Sequence, residues 1–357
     1  MPAKVCAHGR VEVLGNHTDY NKGLALAMGV EYATTVKGSR RTDDRIILRA
    51  RDLKKIWEGS IQAIQPSETE SWANYILGVL QGLKECGIPL GGVELEIHSN
   101  LPMGAGLSSS AALAIAALRC LKKIFRFTLP PLEMAKLAQQ AEHRFAGVKC
   151  GLLDPMTILH AKKDHLLLLD FSSMQVKAIP FPQDAVFLIA NSGEKHALVT
   201  GEYNERRESC EEAARLLGIA SLRKIAPLEF VERKEELPER VFRRAAHVVF
   251  EIARVSLAVL ALGRENLIEL GRLMDESHVS SKFNFENSTP SLDHLCEVSQ
   301  KCPGHLGARL SGGGFGGSTL HLIESNKQEE FVSTFQKKAH TRLGHPIDLF
   351  VTSPSGI

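Results

Sequence analysis

The stretch Leu101-Pro-Met-Gly-Ala-Gly-Leu-Ser-Ser-Ser-Ala-Ala112 sets two glycines and three consecutive serines at the entrance to Ala111 to Ile124, an Ala- and Leu-rich segment that predicts a helix. Glycines let a backbone approach a ligand closely, and a helix behind them points its free N–H groups and positive dipole end at whatever sits there. The stretch therefore reads as an anion cradle. It lacks the Gly-Lys-Ser/Thr ending of a Walker loop. A phosphate held here would need Mg²⁺ and side chains from elsewhere to neutralise it, with the Ser108 to Ser110 hydroxyls as metal contacts. Read alone, the same residues also describe a tight turn and a helix capped by its own serines.

Across 357 residues, 44% hydrophobic, 24% charged and 6% aromatic side chains describe an ordinary globular chain, long enough for two lobes with a cleft between them. Lys plus Arg at 43 against Asp plus Glu at 41 leave a formal net charge of +2. That is far from the concentrated positive field needed to bind a phosphate backbone, which excludes nucleic acid as a main partner. The longest apolar stretches, Ala111 to Leu118 and Val255 to Leu262 broken by Ser256, fall short of the roughly 20 residues that cross a bilayer, so no membrane span is expected. No basic segment followed by an apolar run opens the chain, which predicts a cytoplasmic address and leaves the sequon-like Asn16-His17-Thr18 and Asn287-Ser288-Thr289 unmodified. Seven cysteines without a CxxC pair read as reduced thiols.

Working outward, Val11 to Leu14, Ala33 to Val36, Ile46 to Ala50 and Val93 to His98 predict strands, with a helix over Trp72 to Cys86. Pro131 to Phe145 predicts a second helix ending near Gly147, and Leu166 to Phe171 and Ala185 to Asn191 predict further strands. Beyond these the chain turns long-helical over Glu202 to Leu217, Pro238 to Leu262 and Asn266 to Phe283, then returns to strands at Ser318 to Ile323 and Asp348 to Thr352. This predicts an α+β fold with an N-terminal lobe over residues 1–183 and a C-terminal lobe over 184–357. Near the N-terminus, Gly9-Arg-Val-Glu-Val-Leu-Gly-Asn-His-Thr-Asp-Tyr-Asn-Lys-Gly23 concentrates Asn16, His17 and Asp19 within four positions, donors and acceptors suited to sugar hydroxyls, though equally the residues of a solvated turn.

Together these segments resemble one family. Gly9 to Gly23 is similar to the galactokinase signature. Residues 101–112 are similar to the Pro-x-Gly-x-Gly-Leu-Ser-Ser-Ser motif of the superfamily of galactokinase, homoserine kinase, mevalonate kinase and phosphomevalonate kinase. Arg309-Leu-Ser-Gly-Gly-Gly-Phe-Gly-Gly317 is similar to its third motif. Cys150-Gly-Leu-Leu-Asp154 resembles the galactokinase catalytic-base segment, and His196-Ala-Leu with Glu202-Tyr-Asn-Glu-Arg-Arg207 resembles its sugar-lobe helix. The resemblance implies a GHMP-kinase-like fold, with a ribosomal protein S5 domain 2-like N-terminal lobe, a ferredoxin-like C-terminal lobe and the active site in the cleft between them.

It also implies roles. Asp154 would take the proton of the sugar C1 hydroxyl, with Arg10 beside it; a guanidinium there favours a carboxylate's charged form and spreads the charge of a phosphoryl group in flight. Glu142 and Ser110 would hold Mg²⁺. Asn16, His17, Asp19, Tyr203 and Gly151 would face the sugar. Gly104, Ala105, Gly106, Leu107, Ser108, Ser109 and Ser110, with Gly313 and Gly314, would line the phosphates of ATP.

Three departures modify this picture. Asn16 stands where the signature has a Glu that contacts the sugar 6-hydroxyl, and Lys22 stands where a glycine is usual, a pairing that removes a negative charge and adds a cation. Pro155 follows Asp154 where Gln is usual and is expected to push Asp154 towards extended backbone. The chain also starts almost directly at the signature, so the usual leader is expected to be absent or truncated. The resulting expectation is an ATP- and Mg²⁺-dependent sugar 1-kinase with no obligatory protein partner. Galactose is the first substrate and galacturonate the second, with arabinose and N-acetylgalactosamine further back. The rival readings are a non-catalytic sugar sensor and, because Gly106-Leu-Ser108 does not close as Gly-x-Ser-x-Gly, a much weaker serine hydrolase.

Overall fold

A computed structural model describes residues 2–102, 104–147, 150–194 and 199–356 of the chain. Its first half carries β1 (Ala3–Leu14), β2 (Leu24–Arg40), β3 (Arg45–Ala50), β4 (Lys55–Ser60), α1 (Asn74–Glu85), β5 (Val93–Ser99), α2 (Ser109–Phe125), α3 (Pro131–Ala141), α4 (Leu153–His160), β6 (His165–Asp170) and β7 (Gln175–Pro180). The strand β2 organises this half. β1 runs antiparallel along one edge, from Ala3 opposite Gly38 to Leu14 opposite Leu26. The other edge is shared by β5 against residues 34–40 and by β6 against residues 24–27. The path β4-β3-β5-β2-β6-β7, with β1 off it, makes a seven-stranded sheet in which only β3 and β5 pair in parallel.

Leu24 to Val30 of β2 are buried on both faces, which is why the run shows no polar alternation and why only Ala33 to Val36 reads as strand from sequence. One cover is α2, whose Ala111, Ala112, Ala114, Ala116 and Ala117 are small enough to let the helix lie close on β1 and β2.

The second half carries β8 (Ala185–Asn191), α5 (Val199–Leu216), α6 (Pro227–Glu232), α7 (Glu239–Gly263), α8 (Leu267–Ser280), α9 (Pro290–Ser299), β9 (His305–Ser311), β10 (Ser318–Glu324), α10 (Gln328–Leu343) and β11 (Asp348–Thr352). Its strands form an antiparallel sheet in the order β11-β8-β10-β9, with α8, α9 and α10 packed on it. The chain then returns to the first sheet, where the Ser355 N–H donates to Gly29 O at 2.9 Å.

α7 is long and apolar enough by composition to cross a bilayer, longer than its uninterrupted apolar run suggests, yet most of it is buried inside the fold. It packs on α5, α8, β2 and β7, and it brings Arg244, His247 and Glu251 into the interior. These groups are tolerated because they bond to one another's neighbours and to backbone. Both α3 and α8 end in a widened π turn, over Glu142–Ala146 and Ser281–Phe285. Such turns re-aim side chains that a regular helix would point elsewhere, and here they present Glu142 and Phe285.

Candidate active site

The glycine turn before α2 is held from two directions. From β1, the Arg10 N–H donates to Leu107 O at 3.1 Å and Arg10 Nη1 donates to Gly106 O at 2.8 Å. From β10, Ser318 Oγ donates to Ala105 O at 2.9 Å. Gly104 and Gly106 adopt φ of +75° and +69°, the left-handed region where a side chain is strained, and a Cβ on either would meet nothing within 4 Å. Their need for glycine is thus conformational, and the space over the turn is open. Among the described residues no side chain caps the first turn of α2, which leaves its N–H groups available to an anion.

The serines do other work than capping. Ser108, at φ +53°, gives its hydroxyl to Asp154 Oδ2, and Ser110 gives its hydroxyl to Glu142 Oε1 at 2.9 Å. Asp154 also receives Arg10 on Oδ1, through Nε at 2.7 Å and Nη2 at 2.6 Å. Arg10 is 7% exposed, so this pair sits largely out of water, where a charge-assisted bond is strong. Asp154 is the second residue of α4 and helical, not extended. Pro155 occupies the first helical turn, where its missing N–H has no partner to lose, so the expected distortion does not occur. Glu142, beside Ser110 and the Cys150 thiol at 3.3 Å, is pushed up from the ordinary glutamate range by burial and then by the Asp154 charge.

Opposite lie the polar residues of the first loop. The Asp19 carboxylate has no side-chain hydrogen-bond partner among the described residues, and burial, with the charges of Glu12 and Asp154, pushes it up to about 6. It presses against Gly151, where a Cβ would stand 1.7 Å from Asp19 Oδ2. Tyr203 of α5 faces the same space; burial, followed by the Asp19 and Asp154 charges, raises its phenol well above the usual range and keeps it a donor. Gly313 packs against the Tyr203 ring.

Two loop residues expected to face the sugar are committed elsewhere. Asn16 is 1% exposed: its Nδ2 donates to Gly312 O at 2.6 Å, and its Oδ1 accepts from Asn287 Nδ2 at 2.9 Å. It ties the loop to the third glycine run. His17 packs between Tyr203 and Phe285, with ring centroids 4.9 and 4.5 Å away. Its Nε2 meets Gly313 O at 3.0 Å and its Nδ1 meets Tyr20 Oη at 2.9 Å. A carbonyl can only accept, so Nε2 carries the proton and Nδ1 accepts from Tyr20, the neutral form expected of a ring that burial holds down at about 4. Lys22 is exposed at φ +56°, the left-handed region that favours glycine, which accounts for a glycine being usual there. The expected His196-Ala-Leu segment lies outside the described residues.

Other members of the site escaped the sequence reading. Arg309, fully buried, donates from Nη1 to Glu12 Oε1 at 3.1 Å and to the Glu12 and Val13 carbonyls, joining β9 to β1 beneath the loop. Breaking such a buried pair costs about 3–5 kcal/mol. Arg309 opens the third motif, but its pairing was signalled only by a charge inside each apolar run, Val11-Glu12-Val13 and Ala308-Arg309-Leu310. Asn287, Phe285 and Glu251 had none, because their partners lie far away in the sequence.

Comparison with known proteins identifies the family. Residues 2–40 match the galactokinase galactose-binding signature, 74–162 the GHMP kinases N terminal domain and 258–340 the GHMP kinases C terminal. The galactokinases of Mannheimia succiniciproducens and Actinobacillus succinogenes are each 37% identical, over 98% of this chain and 93% of theirs. The crystal structure of Lactococcus lactis galactokinase complexed with galactose superposes with a TM-score of 0.94 at 30% identity, covering 99% of this chain and 94% of that one. The Methanococcus jannaschii mevalonate kinase, at 22% identity and a TM-score of 0.73, shares the fold. With both lobes and all three motifs matched over nearly its whole length, the chain belongs to the galactokinase family of GHMP sugar kinases.

Proposed function

We propose that the chain transfers the γ-phosphoryl group of ATP to the anomeric hydroxyl of galactose, giving α-galactose 1-phosphate. The observation that carries this reading is the meeting of Arg10, Asp154 and Ser108 at the open glycine turn, facing an Asp19 carboxylate with no side-chain partner among the described residues. The names of its relatives and the galactose in the Lactococcus lactis structure support galactose over the other sugars.

Asp154 accepts the proton of the C1 hydroxyl on Oδ2. Arg10 holds Oδ1 in place and presents charge beside the glycine turn, and Ser108 fixes the carboxyl rotamer. Asp19 and the Tyr203 phenol orient the sugar as acceptor and donor, and Gly151 makes room for Asp19. Asn16 and His17, tied to Gly312 and Gly313, shape that wall from behind, and Gly313 and Gly314 line the nucleotide phosphates. The backbone of Gly104 to Ser110 and the N-terminus of α2 receive the nucleotide phosphates. Glu142 and Ser110, both hard oxygen donors and adjacent, fit an Mg²⁺ that takes its remaining ligands from phosphate and water. When bound, the ion would neutralise phosphate charge. We divide the lobes at 183/184, between β7 and β8.

Steady-state kinetics with ATP over galactose, galacturonate, arabinose and N-acetylgalactosamine test the reading. Galactose should lead, and turnover of galacturonate far above galactose would overturn the substrate. Binding of both ligands without ATP consumption would turn the enzyme into a sensor.

A further inference from the structure

The sugar-facing wall is a short turn with its own internal bonds. Thr18 Oγ1 lies 2.8 Å from Gly15 O and 2.7 Å from Leu24 O, and Asn21 Nδ2 donates to His17 O at 3.0 Å. These fix the turn's shape but not its place relative to Asp154. That place is set from the other half of the chain. We propose that Glu251 of α7 is a positioning residue for the sugar: its carboxylate seizes the backbone where the turn begins and so sets the distance of Asp19 from the base.

Glu251 is fully buried. Its Oε1 accepts from the Gly15 N–H at 2.9 Å, the Asn16 N–H at 3.3 Å and Ser277 Oγ at 2.8 Å. Its Oε2 accepts from Arg254 Nε at 2.7 Å, which turns and anchors the carboxylate from its own helix. Burial alone would raise this acid, but Arg254 beside it and the surrounding donors hold it well below the usual range, so it is a charged acceptor. Bonds to a charged acceptor are roughly twice as strong as neutral ones. Two successive backbone N–H groups on one oxygen also fix the orientation of two peptide planes, four and three residues before Asp19. No hydrogen bond joins Glu251 to the glycine turn before α2 among the described residues, so its direct contacts lie on the side of the first loop.

The inference rests on the sugar-kinase reading, and its test separates the two. Glu251→Ala and Glu251→Gln are compared with the wild-type chain, varying sugar at saturating ATP and ATP at saturating sugar, alongside thermal melting. The Gln variant keeps an acceptor but loses the charge and its fit to Arg254. Its sugar KM should rise about 3- to 10-fold, and that of the Ala variant about 30-fold or more, each with the ATP KM within about 2-fold. If the Ala variant does not fold, the Gln variant decides alone. A folded Gln variant with an unchanged sugar KM, or with sugar and ATP KM rising in parallel, would show that Glu251 only stabilises the fold. A wrong substrate shows in the wild-type chain by itself, and the variant ratio is then read with whichever sugar that chain phosphorylates.

Discussion

Gly151→Ala probes the sugar side of the site with a single added carbon. The new Cβ would stand 1.7 Å from Asp19 Oδ2 and 2.9 Å from its Cγ, and contacts under 3.0 Å are essentially never seen, so Oδ2 must retreat by at least 1.3 Å. The obstacle is the end of a rotatable side chain with no side-chain partner to lose among the described residues, so the fold can yield cheaply, and the melting temperature should stay within about 2 °C. The sugar cannot follow. A retreat of that size exceeds the whole range of hydrogen-bond lengths, roughly 0.5 Å, so a bond from a sugar hydroxyl to Asp19 is broken. Bonds to charged acceptors are worth about 1.5–3 kcal/mol, which corresponds to a loss in kcat/KM for galactose of roughly 10- to 100-fold. A coupled assay of ADP release, with sugar and ATP varied separately, reads this directly, and the ATP KM should hold. Asp19→Ala should lose a similar factor, and adding Gly151→Ala to it should cost little more, because both act through the same carboxylate. A folded Gly151→Ala enzyme with wild-type kcat/KM for galactose would refute the placement of Asp19 on the sugar.

Asp154→Asn should lower kcat by about 10²–10⁴ while leaving ATP affinity near wild type, because it removes proton acceptance without removing a nucleotide contact; equal loss of ATP affinity would argue against the role. The Asp19 carboxyl is held up at about 6 against an ordinary value of 3.8, so acidification through pH 6 protonates it and removes the charged acceptor. Galactose titrated without nucleotide should therefore bind more weakly as pH falls from 7 to 5, and Asp19→Asn should flatten that profile. Stability should carry the mark of buried neutral histidines: burial holds His17 at about 4 and His247 at about 3, against 6.5 when exposed. The unfolded chain then binds protons that the fold refuses, so stability is lost as pH drops from about 7 towards 4. Melting curves at pH 7, 6 and 5 should shift downward, and an unchanged slope in His247→Asn would contradict the assignment of that residue.

The parts of the fold legible in sequence are those whose pattern is local. α1, α2, α7 and α8 show their apolar stripes, and β3, β5 and β8 show strand-like runs. Leu24 to Val30 hides half of β2 because both faces are covered, and α10 was missed because only Phe331, Phe335 and Ala339 of its residues are buried, too thin a stripe to register. Within the site, the glycine turn, the Asn16 to Asp19 loop and the Gly312 to Gly317 run announce themselves by composition, since backbone conformation and ligand approach demand particular residue types there. What each polar side chain does is another matter. Asn16 looks like a sugar reader until Gly312 and Asn287 claim its amide; Ser108 looks like a cap until Asp154 takes its hydroxyl; Glu251 looks like a polar interruption of an apolar helix until the Gly15 and Asn16 N–H groups reach it. By itself, then, the sequence marked out the segments proposed to meet phosphate and sugar. Only the tertiary structure decided which donors remain free to do so, because a hydrogen bond is assigned by the partner that arrives, and these partners come from up to 296 positions away.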